Sequence, residues 1–145
     1  MNVNNDKQNY SMNFKSLTKE QIMQLPQEER IKNMVIRAKE AIYEYSLRGL
    51  PENGKFKNYS IAFNIPCTNN LGRLEIGYDS QDPTNKRYMS IGVHHKNSDR
   101  MEFDLVMIGT KQEILDRLKS KDDVEELAQV VKELSDRTDE YYSNL

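Results

Sequence analysis

The sequence predicts an α+β domain: a four-stranded antiparallel meander with helices before and after it packed on one face, in the order α-α-β-β-β-β-α-α. Three observations carry this. Apolar residues recur at three- and four-residue steps through residues 31–45 and again through 124–134, the spacing of one helix face. Between Asn58 and Gly109 the apolar period changes to two. The links inside that stretch, PCTNN, SQDPTNK and KNSD, are short and rich in turn formers, so consecutive antiparallel hairpins are the simplest topology.

Residues 1–15 are Asn-rich and aperiodic and are expected to be a mobile tail, leaving residues 16–145 as a single α+β domain. Thr18 opens TKEQ, a capping-box pattern in which the Thr hydroxyl and the Gln21 side chain satisfy orphan amides of a short helix. Pro26 ends that helix and suits the first turn of the next, where Glu28 and Glu29 favour the helix dipole. Ile31, Met34, Val35, Ala38, Ala41, Ile42 and Tyr45 form its apolar stripe, with Arg30, Lys32, Lys39, Glu40 and Glu44 off it. Gly49 and Pro51 stop it.

Four strands follow. Tyr59, Ile61, Phe63 and Ile65 alternate with small or polar residues, as do Leu74, Ile76 and Tyr78, then Met89, Ile91 and Val93, and finally Met101, Phe103, Leu105 and Met107. These fourteen side chains are expected to share one sheet face, which the helices must cover. TKQE at Thr110 is a second capping box, opening a helix with Ile114, Leu115 and Leu118, and Ser120 is placed to cap another. Val124, Leu127, Ala128, Val131, Leu134 and Tyr141 make the stripe of that last helix.

Composition excludes more than it selects. The formal net charge of −2 gives no general reason to expect a polyanion as partner, so nucleic acid is disfavoured. Charge drifts along the chain, from 10 Lys and Arg against 7 Asp and Glu in residues 1–57 to 6 against 10 in residues 110–145. Cys67 is the only cysteine, so no intramolecular disulfide forms and a thiolate zinc site lacks partners. A reducing, cytoplasmic location is expected, with no apolar stretch of membrane-spanning length. GLPENGKF at Gly49 has the spacing of a phosphate-binding loop but carries Phe56 where a metal-binding Ser or Thr is required, and its helix and strand flanks are reversed. Zincin, thiol-redox, serine-hydrolase and dinucleotide motifs are absent, and neither cofactor nor metal is expected.

The two histidines, His94 and His95, are adjacent on a strand and so point to opposite faces, a poor arrangement for one metal. His95 continues the apolar series, whereas His94 belongs with Ser90 and Gly92 on the other face. One hairpin register places Asn64, Arg73, His94 and Glu102 in a transverse row, with Ala62, Glu75, Gly92 and Asp104 beside it. Such a cluster could bind a small molecule, anion or metal and exchange protons with it, or be a solvated face of cross-strand ion pairs. No nucleophile with a positioned base can be named, so catalysis is not expected. On the last helix Asp122, Glu126, Glu133, Asp136 and Glu140 form an acidic stripe opposite the apolar one, suited to a basic partner surface.

The sequence thus predicts a small cytoplasmic, non-enzymatic protein-binding module of the adaptor, inhibitor or immunity-protein kind, acting through the acidic helix or the polar sheet face. The alternative is small-molecule, anion or metal binding, extending to weak catalysis, at the polar sheet-face cluster around His94. Pairing of an edge strand with its twin would also allow a homodimer.

Overall fold

Helix α1 (Gln27–Gly49) precedes strands β1 (Lys57–Asn64), β2 (Asn70–Tyr78), β3 (Arg87–His95) and β4 (Met101–Gly109), and helices α2 (Lys111–Lys119) and α3 (Val124–Ser143) follow them in a computed structural model of the chain. The structure describes residues 18, 20–21, 24–49, 57–78 and 86–145, without the side chains of 46–49, 57 and 78. The expected tail (1–15), most of the Gly49–Phe56 loop and the β2–β3 link lie outside the described residues.

The strands lie in sequence order in one antiparallel sheet, β1-β2-β3-β4, so the α+β meander is as the sequence predicts. Among the described residues the helix count ahead of it is not matched. Before α1 the described residues hold only Glu20 and Gln21 in helical conformation, closed by the capping box. The Gln21 N–H donates to Thr18 Oγ1 at 3.1 Å and the Thr18 N–H to Gln21 Oε1 at 2.9 Å.

Helix α1 packs over β1 and β2, α3 over β3 and its neighbours, and α2 lies beside β4 and α1. Ile31, Val35, Ala38 and Ile42 of α1 meet Leu74, Ile76, Met89, Ile91 and Val93 of the sheet and Leu127, Val131 and Leu134 of α3 in one core. The stripe on α1 is wider than its spacing predicts. Ile36 and Lys39 are also buried, because α1 is covered by α2 and α3 as well as by the sheet, while Tyr45 is exposed and stacks its ring on Tyr59.

The corner between α2 and α3 is built on charge. Lys39 is fully buried, and its Nζ donates to the Ser120 carbonyl and to Asp123, which also accepts from Arg117 Nε. This corrects the placement of Lys39 off the buried stripe of α1. It also corrects Ser120, which ends α2 rather than capping α3. The residue preceding α3 is Asp123, whose carboxylate makes no cap bond because Lys39 and Arg117 hold it. Thr110 does cap α2: its hydroxyl accepts from the Glu113 N–H at 3.2 Å and its own N–H donates to Glu113 Oε1 at 3.1 Å.

One expectation about the sheet is overturned. Met101, Phe103 and Leu105 do not join the core face. Pairing sets His94 opposite Met101, Gly92 opposite Phe103 and Ser90 opposite Leu105, so these three share the outer face with His94. Glu102 and Asp104 instead pair with the core-facing Val93 and Ile91 and point toward the helices. A β-bulge between Met89 and Ser90 leaves Val106 as an extra residue, after which Met107 pairs with Met89 on the core side. Val106 and Met107 are the β4 side chains packed against the core.

Candidate interaction surface

The outer face of the sheet has a polar half and an apolar border. Its polar half is cross-linked strand to strand. Arg73 Nε donates to His94 Nε2 at 3.0 Å, and Arg73 Nη1 donates to Ser60 Oγ at 2.9 Å. His94 Nδ1 lies 2.8 Å from the His95 carbonyl and 3.1 Å from that of Ser98, so the imidazole carries its proton on Nδ1 and accepts at Nε2. His94 is buried, a staple that binds β2 to the β3–β4 turn. The Tyr88 hydroxyl lies 3.0 Å from Glu75 Oε1 and 3.1 Å from Asn58 Oδ1, its ring lying over Gly77, where a Cβ would come within 2.3 Å of it. Burial, then the hydrogen bond to Glu75 and its charge, push the Tyr88 phenol up to about 12.

The six residues of the expected cluster are therefore not brought together. Asn64, Arg73, Glu75 and His94 do share the outer face, as alternation predicts. Their register is not the expected one: His94 stands opposite Leu71 and Arg73 opposite Gly92 and Ala62. Arg73 and His94 are directly bonded, Glu75 is engaged by Tyr88, and Asn64 faces Leu71 at the end of β1. Glu102 and Asp104 are on the helix side, where Glu102 accepts from Arg100 Nη2 at 2.9 Å and Arg100 sits 3.7 Å above the Tyr141 ring. His95 also turns to the helix side, as expected, with its ring 4.8 Å from that of Tyr142. Among the described residues, no group of three or more His, Cys, Asp or Glu could hold a metal ion.

The apolar border is the feature that periodicity misread. Phe103 is 63% exposed, Ile108 58%, Leu105 54% and Met101 38%, four apolar side chains in a row along one strand. Among the described residues that strand is the end of the sheet: β4 pairs with β3 alone, and no backbone hydrogen bond reaches its other edge. Alternate N–H and C=O groups of β4 thus point away from the protein. The row lies next to a floor of small residues, Ser90 and Gly92, with Met101 folded over Gly92, where a Cβ would come within 2.6 Å of its sulfur.

Below the row, a shallow groove of about 230 Å³ runs between β4 and α3, lined by Ile91, Asp104, Leu105, Val106, Arg117 and Glu126 among others. Glu126 comes from the acidic stripe of α3. Asp122 lies in the turn before α3 rather than on it as expected, whereas Glu126, Glu133, Asp136 and Glu140 are on the helix, and all five are exposed; Lys132 pairs with Asp136 at 3.0 Å, and Gln129 donates to Glu133 at 3.4 Å.

Alternation alone does not tell which face of β4 points outward. The signal was present in Glu102 and Asp104 only as half of an alternation whose phase the sequence does not give. No protein-family model, curated protein or solved structure matches the chain.

Proposed function

We propose that this chain is a small non-enzymatic protein-binding module, of the adaptor, inhibitor or immunity-protein kind, that engages its partner along β4 on the outer face of the sheet. One observation carries the reading: Phe103, Leu105 and Ile108 are exposed on a strand whose outer edge is unpaired among the described residues. Monomeric proteins blunt such edges, and contiguous exposed apolar rows mark interaction sites. On the polar half of the same face, Arg73 bonds His94 and Tyr88 bonds Glu75, which gives these four side chains a role in holding the strands together. Among the described residues no helix is long and apolar enough to cross a membrane, and the lone Cys67, exposed and unpaired, suits a reducing compartment such as the cytoplasm.

The test is capture with the wild-type chain and with Phe103→Asp plus Leu105→Asp, the fold of the variant checked by circular dichroism and thermal melting. A protein recovered stoichiometrically by the wild type and lost from the folded variant is the expected result. Recovery of the same protein by both, or by neither, contradicts the reading.

A further inference from the structure

The β4 edge specifies what kind of partner it takes. We propose that it accepts an extended segment as a fifth strand, with apolar side chains on one face of that segment and Lys or Arg on the other. This inference rests on the protein-binding reading above and adds the chemistry of the partner. A strand added beside β4 must alternate as β4 does, so its residues fall next to Met101, Phe103 and Leu105 on the outer face and next to Glu102 and Asp104 on the helix face. The outer row asks for apolar neighbours, because an apolar side chain laid against Phe103 and Leu105 removes both from water.

The helix face asks for cations. Arg100 offsets Glu102 and Asp123 offsets Arg117, while Asp104 and Glu126, on the two sides of the groove, have no ion pair among the described residues. An ammonium or guanidinium from the incoming strand can lie between them. The same charges argue against a second copy of this chain as occupant. Residues 101–109 contain Glu102 and Asp104 but neither Lys nor Arg, so a twin β4 brings two more carboxylates to the seam and nothing within the strand to meet them. The opposite edge of the sheet, β1, offers no such row: its outer-face residues are Asn58, Ser60, Ala62 and Asn64.

The experiment uses the full chain and three blocked synthetic peptides as long as β4. One alternates Lys with Val, one alternates Glu with Val, and one carries the Lys and Val residues in two separate blocks. Binding is read from amide chemical shifts, and sedimentation equilibrium of the protein alone reports any dimer. The alternating Lys peptide is expected to shift the β4 amides, and to bind at least tenfold more tightly than either other peptide. In Asp104→Lys plus Glu126→Lys, both at exposed positions, its affinity is expected to fall at least tenfold. Equal binding of the two-block peptide and the alternating Lys peptide, no effect of the charge reversals, or a dimer that occupies β4 overturns the proposal. If the Lys peptide fails to bind while Phe103→Asp plus Leu105→Asp still abolishes capture of a protein, the basic-strand inference falls and the protein-binding reading stands. If both fail, both fall.

Discussion

His94 and Tyr88 show how neighbours decide what a polar side chain can do. Both sit on the outer face of the sheet, and both have their polar atoms engaged across strands, His94 by Arg73 and the turn carbonyls, Tyr88 by Glu75 and Asn58. The phenol of Tyr88 is held up to about 12 by burial and by the Glu75 carboxylate, against an ordinary value of 10.0. A raised acid binds its proton more firmly in the folded chain. Its contribution to stability is thus complete below pH 10 and lost as pH rises toward 12. In a ring-carbon NMR titration, the Tyr88 resonance is expected to move near 12 in the wild type and at a lower pH in Glu75→Gln; an unchanged midpoint would remove Glu75 as a cause. Alternation placed Arg73, Glu75, His94 and Asn64 on one face, and that much of the cluster was legible. Its rows were not, because a hairpin can slip by two residues without moving any side chain to the other face. Cys67 is a smaller case: with φ at 65° after Pro66, and with the Thr68 N–H donating to the Ile65 carbonyl, it occupies a turn position that favours Gly or Asn, and nothing in its residue type announced that.

Among the elements, β4 and the α2–α3 corner depart most from what spacing predicts. Periodicity located β4 within its observed bounds but gave it the wrong phase, for a reason particular to edge strands. Helix α3 lies chiefly over β3, so Asp104 on the helix side of β4 stays exposed and Glu102 keeps a partner in Arg100; neither carboxylate is forced into the core. The usual rule that charges face away from the core is therefore weak at this strand, and pairing with β3 through the short 96–100 turn sets the phase instead. At the corner, Lys39 was hidden from the sequence because its partner, Asp123, lies 84 residues away. Lys39→Met leaves Asp123 buried with Arg117 alone, and is expected to lower urea stability by about 3 kcal/mol. Lys39→Met plus Asp123→Leu should recover at least half of that loss; no recovery would mean that packing, not charge, accounts for it. Burial pushes the Lys39 ammonium below its ordinary 10.5, with Asp123 pulling the other way. The unfolded chain therefore binds more protons just below pH 10.5, and the Lys39 contribution to stability rises with pH through that window.

For the whole molecule, the sequence was sufficient to predict the architecture because its period changes twice, from helical to two and back, at positions bounded by Pro51 and by the Thr110 capping box. Those signals are local. Which face of the last strand meets water is a property of the assembled sheet, and the proposed function depends on it. Equilibrium urea denaturation of Phe103→Ser tests this directly, with Ile91→Ala as the reference for a true core position. With Phe103 outward, its substitution is expected to change stability by no more than about 0.5 kcal/mol, as for an ordinary surface position, against a loss of about 2 to 5 kcal/mol for Ile91→Ala. A Phe103→Ser loss as large as that of Ile91→Ala would put the ring in the core and contradict the interaction surface.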